Sequence, residues 1–169
     1  KIAIKDAIPR FTDEAYHSNF GLQWNKFSTV QLDSFNGSDE SEKRLLCQSK
    51  LYPDDFDGKT ILEVGAGNGR FTEIFLKYGA KVLAVDYSSA IDANYRNHIK
   101  YIEEGRLLLI QGDLFNLPLT EKSFDIVFCY GVIQHTGNNQ KAISELSKFP
   151  KNKGRLLMDI YSISIKHFN

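Results

Sequence analysis

Three closely spaced glycines between an apolar segment and a predicted helix constrain this sequence more than any other feature. The segment Ile61–Thr72 reads ILEVGAGNGRFT, and its glycines are Gly65, Gly67 and Gly69. Glycine lacks a Cβ atom, so such a turn can bend sharply and bring its backbone against a ligand. The helix that follows would present free N–H groups in its first turn. The pattern predicts a strand–loop–helix unit that binds a polar or anionic group.

Acidic residues around this turn separate two classes of ligand. Dinucleotide-binding sheets place the third glycine three residues after the second and use one acid about 20 residues further on for ribose. Here the third glycine follows after only two residues, and Arg70 stands where that pattern has glycine. Asp86 lies 21 residues after Gly65, which suits ribose in either class, but Glu63 and Asp113 have no place in the dinucleotide pattern. A nicotinamide-dependent oxidoreductase is therefore disfavoured.

Apolar strands alternate with helices downstream of this point. The predicted strands cover residues 60–64, 81–86, 107–111, 125–130 and 155–161. The predicted helices between them cover about 71–79, 89–101 and 139–149. Continuous apolar strands joined through helices are typical of a parallel sheet covered on both faces. Ligands of such sheets bind at the carboxyl ends of the strands, which is where the glycine turn, Asp86, Asp113 and residues 130–135 fall.

The order of these motifs resembles that of the class I S-adenosylmethionine-dependent methyltransferases. The resemblance is collinear over more than half of the chain and rests on Leu62–Gly69, Ala84–Ser88, Gln111–Leu114 with Leu117–Pro118, Phe124–Phe128, Gly131–His135 and Gly154–Leu157. Each motif alone is ordinary, whereas their order and spacing are specific. The resemblance implies a Rossmann-like, doubly wound α/β fold with a mainly parallel sheet. It also implies S-adenosylmethionine as the cofactor, with S-adenosylhomocysteine as its product.

This resemblance implies a role for each motif. The glycine turn would carry the methionine part of the cofactor, Asp86 the ribose hydroxyls, and Asp113 with the Leu114 amide the adenine. The implied cofactor contacts are Glu63, Gly65, Ala66, Gly67, Asn68, Gly69, Asp86, Tyr87, Asp113, Leu114, Cys129 and Tyr130. Each acid also has a structural interpretation. Glu63 could be a buried carboxylate under the loop, Asp86 a helix N-cap, and Asp113 a turn residue.

Two polar residues that follow the fourth strand of this domain are candidates for the acceptor side. By resemblance, the transferred methyl group points there, which makes Gln134 and His135 the candidate catalytic residues. A histidine can act as a general base at neutral pH, although a lone histidine more often holds a loop. Methyl transfer from an activated sulfonium requires mainly alignment, so a base is not obligatory.

The N-terminal region, residues 1–57, is predicted to be a helical extension before a methyltransferase domain at 58–169. Phe20, Trp24, Phe27 and Gln31 recur at helical spacing. Packing on the domain accounts best for Phe20 and Phe27. The polar and aromatic group Gln23, Trp24, Lys26 and Gln31 is predicted to act as a lid that lines the acceptor pocket. Segments 8–11, 20–27 and 31–34 resemble a bacterial subgroup that acts on small molecules or glycans, so an acceptor of that kind is expected.

Composition excludes several other classes of function. The 169 residues include 21 basic and 21 acidic side chains, and this zero net charge gives no broad basic face for nucleic acid. No apolar run is long enough to cross a membrane. Cys47 and Cys129 are far apart, which is typical of reduced thiols in a cytoplasmic protein. No histidine has a partner at metal-ligand spacing, so no metal is expected.

The two ends of the sequence give a further expectation. It begins at Lys1 and ends just after the last predicted strand, whereas class I methyltransferases usually add strands 6 and 7. The sheet is therefore expected to lack those C-terminal strands and to expose an edge through which the chain forms a homodimer. Such a chain could also be a cofactor-binding module without turnover.

Overall fold

A computed structural model describes residues 2–12, 26 and 29–160, which contain one seven-stranded sheet. The strands are β1 (Ala3–Lys5), β2 (Ile8–Arg10), β3 (Thr60–Val64), β4 (Lys81–Asp86), β5 (Leu107–Gln111), β6 (Phe124–Cys129) and β7 (Pro150–Met158). They lie in the order β1-β2-β5-β4-β3-β6-β7, and every neighbouring pair except β1–β2 is parallel. The predicted Rossmann-like α/β fold with a mainly parallel sheet is confirmed.

Helices connect the parallel strands and cover both faces of the sheet. They are α1 (Asp33–Asn36), α2 (Glu40–Ser49), α3 (Thr72–Lys77), α4 (Ile91–Glu103) and α5 (Asn139–Leu146). Short 3-10 turns lie at Pro53–Asp55, Leu114–Asn116 and Ile133–His135. The predicted helices of the parallel unit correspond to α3, α4 and α5, with ends that differ by a few residues.

Alternate residues of the central strands supply two separate cores. Ile61 of β3 and Phe128 of β6 point to one face, where α2, α3 and α4 pack. Leu62 and Val127, their neighbours in sequence, point to the other face, where α5 packs. Because side chains alternate across a strand, a run that is apolar throughout can fill both faces at once. The two cores fix the strand ends, and the functional residues lie at those ends.

The first two strands form a hairpin that extends the sheet beyond β5. Arg10 of β2 fastens it, because its guanidinium donates to Gln111 at 2.8 Å and pairs with Asp92 of α4 at 2.5 Å. The Phe11 amide also donates to the Gln111 carbonyl at 2.8 Å. The sequence does not predict this hairpin, because its pattern over residues 1–57 indicates a helical extension. The helical part of that prediction applies to α1 and α2 within the described residues.

The expectation that the sheet lacks two strands is wrong, because the described residues already form seven. The two strands beyond the five-stranded parallel unit come from the N-terminal hairpin, at the edge opposite β7. Strand β7 itself begins at Pro150, five residues before its predicted start, and pairs with β6 from Phe124 onward through a bulge. It is the last strand on its side of the described sheet. Homodimer formation through that edge stays a prediction, which light scattering in solution can check.

Within the described residues, no helix has both the length and the apolar character needed to cross a membrane.

Candidate cofactor and acceptor site

A cavity of about 780 Å³ opens at the carboxyl ends of β3, β4, β5 and β6. These ends bring together four segments that are far apart in sequence: the glycine turn, Asp86–Ser88, Gly112–Phe115 and Tyr130–Gly137. The predicted residues that line the cavity are Gln31, Gly65, Ala66, Gly67, Asn68, Asp86, Tyr87, Asp113, Leu114, Tyr130 and His135. Its size falls within the range typical of small-molecule and cofactor sites.

The glycine turn is fixed from below by β4. The amides of Gly65 and Ala66 both donate to the Val85 carbonyl, at 2.8 and 3.0 Å. Gly65 has a φ of +79°, and a Cβ atom there would lie 2.0 Å from a methyl group of Val132. Only glycine combines this backbone conformation with so close a neighbour. The turn is therefore fixed by hydrogen bonds to β4 and by contact with the loop after β6, and its backbone lines the cavity.

The Asp86 carboxylate ties the ends of two strands together. One oxygen accepts the Gly67 amide at 2.8 Å. The other accepts both the amide and the hydroxyl of Ser88, at 2.8 and 2.7 Å. Because an ionised acceptor makes strong hydrogen bonds, Asp86 orders the glycine turn and the segment before α4 at once. Asp86 thus orders the segment before α4, as its structural interpretation expects, and the same side chain also lines the cavity.

The Asp113 carboxylate likewise holds a turn in place and lines the cavity. It accepts the Phe115 amide at 2.9 Å and the Asn116 side chain at 2.9 Å, which caps the 3-10 turn after β5. It lines the cavity at the same time. A carboxylate oxygen carries two lone pairs, so these contacts leave acceptor capacity for a ligand.

A buried chain of hydrogen bonds runs beneath the glycine turn, from β3 to α4. The Thr72 hydroxyl donates to a Glu63 oxygen at 2.6 Å and accepts the Asn94 amide group at 3.0 Å. The Asn94 oxygen lies 2.9 Å from His98 Nδ1. Because an amide oxygen can only accept a hydrogen bond, this contact assigns the proton to Nδ1. All four side chains are buried. At His98 the backbone of α4 leaves helical geometry, with φ −128° and ψ 22°.

Gly69 lies directly against this chain. A Cβ atom at Gly69 would lie 2.4 Å from His98 Cε1 and 2.7 Å from Asn94 Oδ1. Nearby, the Asn97 side chain donates to the Asn68 carbonyl at 2.9 Å. The third glycine of the motif therefore serves the packing of α4 under the turn. Its position also explains why Gly69 does not line the cavity.

Burial shifts the pKa values of Glu63 and His98, the two residues at the ends of this hydrogen-bond chain. The pKa of Glu63 rises from 4.5 to about 8, first because burial disfavours its charge and also because Asp86 is near, against the lowering effect of Thr72. The pKa of His98 falls from 6.5 to about 4, because burial outweighs its hydrogen bond with Asn94. At neutral pH the Glu63 carboxyl is therefore mainly protonated and the His98 imidazole is neutral.

The raised pKa of Glu63 predicts a stability that falls with pH. The folded state holds a proton that the unfolded state releases above pH 4.5, so this contribution to the free energy of unfolding is lost as the pH rises toward 8. His98 acts in the opposite sense, but only between about 4 and 6.5. Between pH 6.5 and 8, urea unfolding of Glu63→Gln should therefore show a flatter pH dependence than the natural protein. Exposed Glu121→Gln is the control, and a slope equal to that of the natural protein in Glu63→Gln would contradict the assignment.

Four of the residues predicted to bind the cofactor or to act in catalysis do not line the cavity. Glu63 and Gly69 belong to the buried chain just described. Cys129 is fully buried in the second core, where burial, with a smaller contribution from Asp159, raises the pKa of its thiol to about 12. Gln134 points its amide into the protein, where neither amide atom has a hydrogen-bond partner among the described residues. Of the predicted lid, Gln31 lines the cavity, Lys26 is exposed and does not, and Gln23 and Trp24 lie outside the described residues.

The cavity has a basic and aromatic side that sequence reasoning missed. Arg44 of α2, Arg70 and Phe71 all line it, together with Tyr130. The Phe71 and Tyr130 rings meet edge to face, 5.9 Å apart, and the Arg44 guanidinium lies 5.9 Å from each ring centroid. In the sequence, Arg70 stands out only as a departure from the dinucleotide motif. Nothing in the sequence connects Arg44 with it, because their meeting depends on how α2 packs beside α3.

The sheet order, the glycine turn and the acids at the ends of β4 and β5 define an α/β protein built to hold a nucleoside-type cofactor. The family described as "Methyltransferase domain" matches residues 62–158. This match spans more than half of the chain, so the chain belongs to the methyltransferase domain family. The predicted class I S-adenosylmethionine-dependent methyltransferase resemblance is confirmed.

Curated relatives support this assignment. The chain is 33% identical over 111 residues to the mitochondrial ubiquinone biosynthesis O-methyltransferase of Schizosaccharomyces pombe, covering 63% of this chain and 39% of that protein. It is 27% identical over 153 residues to phosphoethanolamine N-methyltransferase 2 of Caenorhabditis elegans, covering 89% of this chain and 34% of that protein. The chain thus spans well under half the length of either relative.

A solved structure shows the same fold. Phosphoethanolamine N-methyltransferase 1 of Haemonchus contortus, in complex with phosphoethanolamine and S-adenosylhomocysteine, superposes with a TM-score of 0.60 at 23% identity. The superposition covers 82% of this chain and 31% of that one. At this identity the likeness concerns the fold.

Proposed function

We propose that this chain transfers a methyl group from S-adenosylmethionine to a small-molecule acceptor. One observation carries the proposal: a single cavity joins the glycine turn, Asp86 and Asp113 to the loop after β6. A cofactor and an acceptor can then lie end to end in the same space. When bound, S-adenosylmethionine supplies a methyl group already activated on a sulfonium. The chain's own contribution is to align the acceptor with that group and to exclude water.

The residues present fit a nucleoside cofactor with an amino-acid tail. Asp86 would accept the ribose hydroxyls and Asp113 the adenine amino group, since both carboxylates line the cavity at the ends of β4 and β5. The backbone from Gly65 to Asn68 would hold the methionine part, with Tyr87, Leu114 and Tyr130 along the walls. Glu63, Gly69 and Cys129 would act indirectly, by supporting the turn and the end of β6.

On the acceptor side, His135 is the candidate for proton removal, because it is exposed and lines the cavity. Gln134 is assigned no contact with an acceptor in this conformation, since its amide is buried. The glycan-type acceptor and the cytoplasmic location expected from the sequence stay predictions.

The names of two relatives suggest which acceptors to test first. One is named for ubiquinone biosynthesis and the other for phosphoethanolamine, so phenolic quinone precursors, phosphoethanolamine and simple sugars form a first panel. The purified chain is incubated with S-adenosylmethionine and each compound, and S-adenosylhomocysteine is quantified by mass spectrometry. Product above the level without acceptor for at least one compound is expected. Cofactor binding without turnover on any small molecule would favour the cofactor-binding module instead.

The predicted lid gives a kinetic expectation. Gln31 lines the cavity, but it does so from a turn before α1 and not from the predicted helix. Trp24 is predicted to belong to the same lid. Removing either side chain should open a path for the cofactor, so Gln31→Ala and Trp24→Ala should release S-adenosylhomocysteine severalfold faster in stopped-flow measurements. Phe35→Ala is the control, because that side chain is 66% exposed and does not line the cavity. Unchanged release in both variants would show that the segment only packs.

A further inference from the structure

Two arginines share one side of the cavity and one aromatic ring. The Arg70 guanidinium lies 5.2 Å from the centroid of Phe71, and the Arg44 guanidinium lies 5.9 Å from the same centroid. Arg70 begins the segment after the glycine turn, whereas Arg44 comes from α2. The packing of α2 against that segment therefore places two positive charges at the same wall of the cavity.

The charges of these two arginines are compensated differently. Arg44 pairs with Asp159 at 2.9 Å. Arg70 donates through Nε to the Ser41 hydroxyl at 2.8 Å, and no carboxylate of the described residues lies within ion-pair distance of it. Asp33 and Glu40 act on Arg70 only from further away. Its two Nη groups have no hydrogen-bond acceptor within the part of the chain that the structure describes.

This arrangement is electrostatically unfavourable without an anion. Burial, and then the charge of Arg44, lower the pKa of Arg70, so the half-buried cation lies beside a second cation with little local compensation. A planar guanidinium with both Nη groups available matches the two oxygens of a carboxylate or a phosphate. An oxyanion placed there would satisfy those donors and offset the repulsion between the two arginines.

We infer that Arg70, with Arg44 beside it, binds an oxyanion (a carboxylate or a phosphate) carried by the methyl acceptor. The inference rests on the proposed function and narrows the acceptor to an anionic small molecule. Arg70 lies inside the 62–158 match that defines the family, whereas Ser41 and Arg44, which complete the site, lie in α2 outside that match. This contribution from α2 favours the acceptor over the cofactor's own carboxylate. Family members share a cofactor and differ in acceptor, so a site completed from outside the shared core is suited to the acceptor.

Inorganic phosphate is the probe for this site. It is titrated calorimetrically into the chain saturated with S-adenosylhomocysteine, at ionic strength held constant with chloride. Phosphate should bind, and Arg70→Gln should weaken that binding about tenfold or more. Arg70→Lys keeps the charge without the planar fork and should give an intermediate loss. Arg155→Gln, an exposed arginine of β7 that does not line the cavity, should bind phosphate like the natural chain.

The affinity for S-adenosylhomocysteine, measured in the same variants, separates the two sources of the anion. The inference requires that Arg70→Gln retains it. It is overturned if phosphate binds Arg70→Gln as well as it binds the natural chain. It is also overturned if Arg70→Gln loses S-adenosylhomocysteine affinity, because Arg70 would then hold the cofactor's own carboxylate. Failure of the natural chain to bind S-adenosylhomocysteine would instead reject the proposed function.

Discussion

Replacing Asp86 by alanine is expected to weaken binding of S-adenosylmethionine by about 1.5–3 kcal/mol, which is roughly a tenfold to hundredfold loss of affinity. The substitution removes the proposed acceptor for the ribose hydroxyls. It also removes the acceptor for the amides of Gly67 and Ser88, so the glycine turn loses its connection to the end of β4. Both effects act in the same direction on cofactor affinity.

Isothermal titration with S-adenosylhomocysteine measures this effect, with Asp54→Ala as the control because Asp54 is exposed and remote from the cavity. Thermal unfolding of the free protein separates the two contributions. If Asp86→Ala binds the cofactor as the natural chain does, Asp86 is not part of the site. If it loses affinity with an unchanged unfolding temperature, ribose recognition accounts for most of the loss.

Gly69→Ala is expected to destabilise the fold by about 2–5 kcal/mol. The backbone at Gly69 has a φ of +97°, which strains any residue with a Cβ atom. The added methyl group would also overlap His98 and Asn94, and overpacking of a buried site adds a cost of the same order. Because those two side chains belong to the buried chain under the turn, the overlap would break its hydrogen bonds.

Gly67→Ala is the matched control for this prediction. Gly67 also has a positive φ, +54°, but nothing lies within 4 Å of its Cβ position. It should therefore lose only about 1–2 kcal/mol, from backbone strain alone. Urea unfolding of both variants measures the difference. Equal losses would show that the contact between Gly69 and α4 does not constrain the turn.

The parallel part of the fold could be predicted because its signals are local. Apolar strands and capped helices are read from adjacent residues, and the glycine turn with Asp86 and Asp113 marks the strand ends at which a ligand binds. The N-terminal hairpin escaped this reasoning, because each of its strands has only three residues. Its place in the sheet depends on Arg10 reaching Gln111 and Asp92, residues more than 80 positions away in sequence.

The site also contains residues that local motifs predict and residues that only contacts between distant segments bring together. The residues of the glycine turn were predicted from their spacing, but the roles of Glu63 and Gly69 beneath it depend on Asn94 and His98. Those two residues look like ordinary members of an amphipathic helix, and no local pattern marks them. Likewise, Arg44 meets Arg70 only because α2 packs across the cavity wall. Contacts between distant segments, rather than motifs, fix this half of the site.

The most direct test of the central claim is calorimetric titration of the purified chain with S-adenosylhomocysteine and, separately, with NAD⁺. The account predicts saturable binding of S-adenosylhomocysteine at one site per chain, weakened by Asp86→Ala, and no measurable binding of NAD⁺. Tighter binding of NAD⁺, or no binding of S-adenosylhomocysteine by a folded chain, would contradict it.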